Sequence, residues 1–250
     1  MKKLIILNKK EGQTPLECLE SFRIKNKEYK DVPMTYAGRL DPMASGVLLI
    51  LTGEECKNKE KYLKLNKEYE FEILFGFSTD TYDILGKVIS NSNKIIQKND
   101  LEKLIKENLK FFSGKFIQKY PMYSSKTVVG KQLFEYARMG EDVEIPSREV
   151  NVKSLKFLKI KKINSKKLLE NIEKRIGKVK GDFRQKEILK IWEKNLKNKE
   201  EQYFIAKFYI KCGSGTYVRS ITNSLGEKVG VPSLALTIVR TRVGKWFKKV

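Results

Sequence analysis

The loop around Asp41 holds the residues best suited to chemistry. In the stretch 36–46 one carboxylate follows an arginine by two residues and precedes a proline, with glycines toward both ends. Pro42 fixes its own φ and pushes Asp41 toward an extended conformation. The wholly apolar run 47–51 that follows is typical of a buried strand. Such a loop could hold one acid in a fixed place for catalysis, although an Asp-Pro turn beside a core strand explains the same residues.

Missing residue types limit what that chemistry can be. The sequence has no histidine, which excludes Ser-His-Asp and Cys-His catalysis and histidine-bound zinc. Cys18, Cys56 and Cys212 are far apart and form no CxxC pair, so we expect no metal site and no disulfide framework. A reducing, cytoplasmic setting fits this cysteine usage. Catalysis must rest on Asp, Glu, Tyr, Lys, Arg, Ser or a free Cys.

The charge of the chain indicates a polyanionic partner. Its 250 residues include 52 Lys and Arg against 30 Asp and Glu, which gives a net charge of +22. Nucleic acid is the leading candidate, with an anionic membrane surface and a lysine-rich genome as competing explanations. No apolar run approaches the ~20 residues of a membrane span, and the patch 4–7 is too short for a signal peptide. We therefore expect no membrane segment and a first strand at 4–7.

Local patterns predict the elements that must position these residues. Residues 14–17 form a capping box with proline at the first helical position, and residues 99–102 form a second capping box. Alternation over 67–77 puts apolar side chains on one face and glutamates on the other, which predicts a half-buried strand. Further expected elements are a helix at 131–139 ending at Gly140, a strand at 203–212, a helix ending near Val229 before Gly230, and a last strand at 237–245. Strands and helices mix without regular alternation, which indicates an α+β fold.

The stretch 151–202 differs in composition from the rest of the chain. It holds 17 basic residues against 7 acidic ones, which is nearly half of the net positive charge. Between Ser165 and Asn198 the pattern predicts helix, interrupted at Gly177 and Gly181. Two interpretations stay open: a solvated, lysine-rich helical hairpin, or an appended arm that grips a phosphate backbone.

Several separated segments resemble the motifs of the TruB family of tRNA pseudouridine synthases, in the family's order. The loop around Asp41 is similar to the family's GxLDPxATGvL motif, which carries its catalytic aspartate, and residues 215–219 are similar to its GTYIR motif. The other matching segments are 8–14, 67–69, 75–86, 121–124, 130–138 and 240–244. The resemblance thus extends over roughly residues 4–245.

The chain also departs from the family's pattern. Tyr36 stands where the family commonly has a histidine, and its ring and hydroxyl could still support base flipping. Asn8 and Lys10 replace the opening aspartate and the first proline. We expect one pseudouridine synthase domain over 1–250, with a basic helical insertion at about 160–200 and no C-terminal RNA-binding PUA domain. These departures bear on substrate choice more than on chemistry.

The resemblance implies a chemical role for three residues. Pseudouridylation detaches uracil from its ribose, turns it and rejoins it through carbon 5, without a cofactor or a metal. Asp41 would act on the ribose as nucleophile or base. Arg219 would pair with Asp41, favour its charged form and, if bidentate, fix its orientation. Tyr69 would stack on the flipped uracil, a contact worth roughly 1–3 kcal/mol, although its strand pattern alone makes it a core residue.

Six further residues are the expected substrate contacts: Tyr36, Arg39, Lys9, Lys67, Asp80 and Tyr217. Arg39 is expected on RNA phosphate. For Lys9 and Lys67, anchoring of the backbone or capping of a strand stays open. Asp80 and Asp83 flank a turn, and both could cap it instead of contacting substrate.

These observations predict a pseudouridine synthase fold of the α+β class. We expect a mixed, mostly antiparallel sheet with flanking helices and loops and a central active-site cleft. The expected activity is isomerisation of a uridine in the tRNA T-loop, at position 55, by a cytoplasmic monomer that binds the T-arm. Two alternatives stay open: a related synthase that acts on another RNA, such as the guided rRNA-modifying relatives, and an RNA-binding or tRNA-folding chaperone with little catalysis.

Overall fold

A computed structural model of the protein describes residues 2–92 and 96–247. The strands are β1 (Leu4–Lys9), β2 (Met34–Ala37), β3 (Ala44–Thr52), β4 (Lys67–Phe75), β5 (Phe77–Thr79), β6 (Val88–Asn91), β7 (Gly114–Lys119), β8 (Thr127–Val128), β9 (Lys131–Gln132), β10 (Ser147–Asn164), β11 (Gln202–Cys212), β12 (Ser233–Val243) and β13 (Trp246–Phe247). The α-helices are α1 (Pro15–Lys25), α2 (Lys59–Leu63), α3 (Lys98–Asn108), α4 (Leu133–Met139), α5 (Ser165–Ile176), α6 (Gln185–Leu196) and α7 (Val218–Val229). Over these ranges no helix has the length and apolar character needed to cross a membrane.

One long sheet forms the centre of the fold. Its main path runs β1-β3-β12-β4-β11-β10-β7, while β2 pairs with β3 and β13 pairs with β12. Neighbouring strands are antiparallel except β3 and β12, which are parallel. Two short pairs, β5-β6 and β8-β9, lie outside it. The predicted α+β class with a mixed, mostly antiparallel sheet is confirmed.

Strand β4 confirms the alternation that its sequence predicts. Tyr69, Phe71 and Ile73 are buried in the core. The glutamates on the other face pair with lysines of nearby strands: Glu68 with Lys211 and Glu70 with Lys207 of the adjacent β11, and Glu72 with Lys161 of β10, the next strand beyond it. The strand ends at Phe75 instead of continuing to 77, because Gly76 (φ 114°) bends the chain before β5 begins. The central position of β4, between β12 and β11, fixes Tyr69 in the middle of the sheet.

The two predicted capping boxes have different outcomes. At α1 the prediction is confirmed, since Thr14 Oγ1 accepts a hydrogen bond from the Glu17 N–H and the Glu17 carboxylate accepts one from the Thr14 N–H. At 99–102 it is wrong, because α3 already begins at Lys98, after an extended Gln97 whose side chain makes no cap.

Glycines end two helices as predicted. Gly140 (φ 68°) follows α4 and Gly230 (φ 74°) follows α7, both in the left-handed conformation that favours glycine. Helix α4 begins later than predicted because Lys131–Gln132 forms β9. Strand β12 begins earlier than the predicted start at 237, because its pairing with β4 starts at Ser233.

Helices α5 and α6 form the predicted hairpin, but it packs on the core and is neither fully solvated nor appended. The contact of its basic residues with a phosphate backbone stays a prediction. The apolar faces of the two helices belong to a core shared with β4 and β12, through Leu168, Ile172, Ile176, Ile188, Trp192 and Leu196. Trp192 is fully buried, and its Nε1 donates a hydrogen bond to the Ile84 carbonyl (3.2 Å). The lysines of the hairpin, such as Lys174 and Lys190, lie on its exposed side. The segment therefore stabilises the fold as well as carrying charge.

We expect Trp192→Ala to lower the free energy of unfolding by about 3–5 kcal/mol, because it opens a large cavity and removes the bond to Ile84. Urea unfolding followed by circular dichroism measures this. Lys190→Ala on the exposed side of the same helix is the control and should change stability by no more than about 0.5 kcal/mol. Equal stability of the two variants would show that the hairpin is a dispensable arm after all.

Candidate active site

Asp41 lies in the loop between β2 and β3 and meets a buried arginine. Arg219 Nε donates a hydrogen bond to Asp41 Oδ2 at 2.7 Å. The Asp41 side chain is 39% exposed whereas that of Arg219 is 3% exposed, so the carboxylate faces the cleft and the cation lies behind it. The predicted pair is present, but it is not bidentate, because the two terminal nitrogens of the guanidinium bind elsewhere.

Arg219, in the first turn of α7, holds several segments of the site together. Its Nη1 donates to the Thr81 carbonyl (2.6 Å) and its Nη2 to the Tyr123 carbonyl (3.1 Å). Asp83 Oδ2 lies 3.8 Å from Nε. Burial lowers the pKa of Arg219, but the charges of Asp41 and Asp83 outweigh it and raise that pKa overall. The guanidinium therefore stays charged in the protein interior.

Asp83 is the second carboxylate beside Arg219, and it is buried. It accepts hydrogen bonds from Thr81 Oγ1 (2.8 Å) and from the Leu85 N–H (2.9 Å). Burial raises the pKa of Asp83, an effect that Arg219 opposes. Of the two roles left open for Asp83 by the sequence, its geometry is that of a turn cap and buried counterion.

Arg240 holds the backbone of the Asp41 loop, although sequence reasoning gave it no role. It is fully buried, and its Nε donates to the Val47 carbonyl at 2.7 Å. Its Nη1 and Nη2 donate to the carbonyls of Arg39 (3.3 Å) and Gly38 (3.2 Å). The available signal was its position in the matching segment 240–244. The loop is thus held by its backbone, which leaves its acid free for other contacts.

Lys9 also supports this loop, so its expected contact with substrate is not supported by the geometry. The side chain is fully buried, and Nζ donates to the carbonyls of Lys10 (3.1 Å), Gln13 (2.5 Å) and Pro42 (3.4 Å). Burial lowers its pKa to about 8. The Gly12 N–H also donates to the Pro42 carbonyl (2.9 Å). Lys9 is therefore a backbone anchor, as one of the two sequence interpretations proposed.

Two cavities meet at Asp41. The Tyr36 cavity, of about 410 Å³, is lined by residues that include Tyr36, Tyr123, Phe134, Arg138, Phe183 and Arg184. The Tyr69 cavity, of about 450 Å³, is lined by residues that include Lys67, Tyr69, Arg148, Gly215, Tyr217 and Arg240. Asp41, Arg39 and Arg219 line both cavities. The carboxylate is therefore reachable from two sides.

Tyr69 and Lys67 enter their cavity from the same face of β4. Burial raises the pKa of the Tyr69 hydroxyl to about 12, an effect that Arg240 opposes. Lys67 Nζ donates to the Leu63 carbonyl (2.5 Å), and burial lowers the pKa of Lys67 to about 8. Tyr217 lies on the far wall, where its N–H donates to Gln118 Oε1 (2.8 Å). The structure thus brings these three predicted site residues to one cavity with Asp41.

The turn between α5 and α6 lines the Tyr36 cavity through Phe183 and Arg184. Arg184 (φ 62°) places its guanidinium 4.4 Å from the centre of the Tyr123 ring and its Nη1 2.7 Å from Asp80 Oδ2. Asp80 Oδ1 accepts from the Lys87 N–H (2.8 Å). The geometry of Asp80 is therefore structural, with an arginine partner that its local sequence does not reveal.

The hairpin also contacts the loop that follows β1. Glu11 accepts hydrogen bonds from Arg175 Nη2 (2.6 Å) and Lys178 Nζ (3.0 Å). Gly12 (φ 91°) lies so close to the turn after α5 that a Cβ there would be 2.6 Å from the Lys178 Cβ. Because Gly12 in turn binds Pro42, the hairpin supports the neighbourhood of Asp41 through the chain itself.

Comparison with solved structures identifies the class of fold. The chain is similar to one in the crystal structure of a Cbf5-Nop10-Gar1 complex, with a TM-score of 0.56 and 18% identity over 98% of this chain and 50% of that chain. It is also similar to one in the structure of an H/ACA RNP bound to a substrate RNA containing 2′-deoxyuridine, with a TM-score of 0.54, 17% identity, and coverage of 98% and 49%. The predicted pseudouridine synthase fold is confirmed.

Sequence comparison identifies the family within that class. The model of the TruB family pseudouridylate synthase N-terminal domain matches residues 27–181. The tRNA pseudouridine synthase B of Bacillus cereus is 31% identical over 248 residues, which cover 98% of this chain and 67% of that protein. That of Caldanaerobacter subterraneus subsp. tengcongensis is 33% identical over 233 residues, with coverage of 93% and 66%. The chain spans about two thirds of the length of these relatives, and it belongs to the TruB family of pseudouridylate synthases.

Proposed function

We propose that this protein converts a uridine in tRNA to pseudouridine, and that its target is uridine 55 in the T-loop. The observation that carries the proposal is the partly exposed Asp41 carboxylate, held at 2.7 Å by a buried arginine where two cavities meet. Membership of the family and the names of the relatives support the substrate class. The T-arm is the proposed partner and a monomer the proposed acting unit.

Each main step has a residue suited to it in the Tyr69 cavity. The target base must leave its stack, and Tyr69 offers a planar ring for the flipped uracil. Asp41 then acts on the ribose as nucleophile or base. Arg219 keeps that carboxylate ionised through its charge and fixes one of its oxygens. Since the reaction is an isomerisation, it needs no co-reactant.

Other residues are proposed to contact the RNA around the reacting nucleotide. Tyr36 lines the neighbouring cavity and would support base flipping there, while Arg39 would meet RNA phosphate. Cys18, Cys56 and Cys212 are free thiols, which supports a cytoplasmic setting for the enzyme.

Release of tritium tests the activity directly. In a tRNA transcript tritiated at carbon 5 of uridine, carbon 5 bonds to the ribose and then loses the tritium as a hydron to solvent. We expect the release of one label per tRNA, and we expect no release when position 55 is cytidine. Release from rRNA fragments but not from tRNA would favour the synthase of another RNA. Tight binding of tRNA without any release would favour the chaperone.

We expect Arg184→Ala to raise the KM for tRNA roughly tenfold with a smaller effect on kcat, because it removes charge from a cavity wall and frees Tyr123, at a cost of about 1.4 kcal/mol. Steady-state tritium release measures both constants. Lys186→Ala is the matched control, since it removes one positive charge from an exposed position in the first turn of α6. Equal effects of the two variants would show that only net charge matters.

A further inference from the structure

The Tyr69 cavity contains more positive charge than its carboxylates can balance. Its lining cations are Arg39, Lys64, Lys67, Arg148, Arg219 and Arg240, and its lining acids are Asp41 and Glu60. Asp41 is already paired with Arg219. Within residues 2–92 and 96–247, Glu60 makes no ion pair. The cavity is therefore lined by more cations than acids.

Among the cations that line this cavity, Arg148 is distinguished by a guanidinium nitrogen that is buried without a partner. Over the described ranges its side chain has no hydrogen bond or ion pair, and its Nε is buried without a partner. A buried donor without an acceptor costs roughly 1–3 kcal/mol, so it calls for an explanation, and a ligand that binds there is one. Arg148 thus has free hydrogen-bonding capacity in a cavity wall.

The surrounding backbone is shaped around this guanidinium. Strand β10 aligns Arg148 with Gln118 of β7. Gln118 Nε2 donates to the Tyr217 carbonyl, and Gln118 Oε1 accepts from the Tyr217 N–H. Gly215 (φ 79°) lies directly against Arg148, and a Cβ at Gly215 would overlap the guanidinium. The Arg148 side chain therefore packs against the loop that leads into α7.

Lys67 and Arg148 line the same cavity, and the pKa of Lys67 is lowered mainly by burial and further by the charges of Arg240 and Arg148. Of the cations lining this cavity, Arg219 is bound to Asp41 and Arg240 is bound to three backbone carbonyls. Lys67 has a single backbone acceptor, the Leu63 carbonyl. Two nearby cations without a carboxylate repel each other, and an anion placed between them removes that repulsion.

We propose that Arg148 and Lys67 form a phosphodiester-binding subsite in the Tyr69 cavity, which holds a backbone phosphate next to the flipped nucleotide. The inference rests on the proposed function and deepens it. A guanidinium suits this ligand because its forked donors match two phosphate oxygens. The contact would help to fix the ribose relative to Asp41, which lines the same cavity.

Single-turnover tritium release with Arg148→Ala tests the subsite. We expect a loss of roughly ten- to a hundredfold in kcat/KM, the effect of one or two charge-assisted hydrogen bonds. Arg148→Lys, which keeps the charge, should recover part of the loss. Lys153→Ala, an exposed residue of the same strand, is the charge-matched control and should stay within about twofold. Thermal unfolding of each variant identifies any loss that is due to misfolding.

A neutral linkage in the RNA separates a phosphate contact from a structural role. A ligated tRNA carries one methylphosphonate on the 5′ or the 3′ side of the target uridine. At one of these positions the neutral linkage should lower the kcat/KM of wild type as much as Arg148→Ala lowers it on unmodified tRNA. The same linkage should not lower the kcat/KM of Arg148→Ala any further. Two results would overturn the subsite. One is that the effects of the linkage and of Arg148→Ala on kcat/KM add at both positions; the other is that Arg148→Ala has the kcat/KM of wild type. If wild type releases no tritium, the same cycle measured by binding tests the subsite independently of the proposed reaction.

Discussion

Asp41→Asn is expected to reduce pseudouridine formation by roughly 10³–10⁴-fold or more, because an amide can act neither as a nucleophile nor as a base toward ribose. The measurement is single-turnover tritium release at saturating enzyme, which separates chemistry from binding. The affinity for tRNA should remain within a few-fold of wild type. Full turnover by this variant would move the catalytic carboxylate elsewhere.

The fold should tolerate this substitution, so that the loss reports on chemistry. The loop is held by Lys9 and Arg240 through backbone carbonyls, and the Asp41 side chain is partly exposed. Its pair with Arg219 is accordingly screened by solvent, and we expect a change of no more than about 1 kcal/mol in stability. Asp80→Asn is a matched control, since Asp80 also pairs with an arginine beside the cleft. It should keep most of the activity.

The parts of the fold that the sequence predicts are those with a strong local pattern. The alternation of apolar residues and glutamates predicted β4, and the capping box with Pro15 predicted the start of α1. The apolar spacing Leu168, Ile172 and Ile176 already indicated a buried helical face, and composition drew attention to the lysines instead. The burial of the hairpin was therefore available to sequence reasoning and was missed.

Long-range contacts account for most of what could not be predicted. The partner of Asp80 is Arg184, and the partner of Glu11 is Arg175, each far away in the chain. Nothing in the local sequence of an acid shows which distant cation will neutralise it. The Asp41–Arg219 pair was expected only because the resemblance supplied it. Its single-oxygen geometry follows from Thr81, whose carbonyl occupies another nitrogen of the guanidinium.

Arg219→Met is expected to destroy activity and also to lower the free energy of unfolding by about 3–5 kcal/mol, the usual cost of removing one partner from a buried ion pair. Most of this cost should come from Asp83, since Asp41 can be solvated whereas Asp83 is buried. Two backbone carbonyls, those of Thr81 and Tyr123, also lose their donor. Urea unfolding and tritium release measure the two effects separately.

The pH dependence of this deficit identifies its source. Burial already raises the pKa of Asp83, and removal of Arg219 takes away the charge that opposes this rise. A carboxyl whose folded pKa lies above its unfolded value destabilises the protein progressively as pH rises through that range. The deficit of Arg219→Met should therefore be larger at pH 8 than at pH 5.

Removal of the Asp83 charge should relieve part of the instability of Arg219→Met. Arg219→Met with Asp83→Asn should be more stable at pH 8 than Arg219→Met alone, by about 1–2 kcal/mol, because the uncompensated charge is gone. Its stability should no longer depend on pH in the way that the single variant does. Activity should not return, since Asp41 still lacks its cation. A double variant that regained turnover would show that Arg219 acts on the fold alone; a double variant no more stable than the single one would remove Asp83 as the source of the cost.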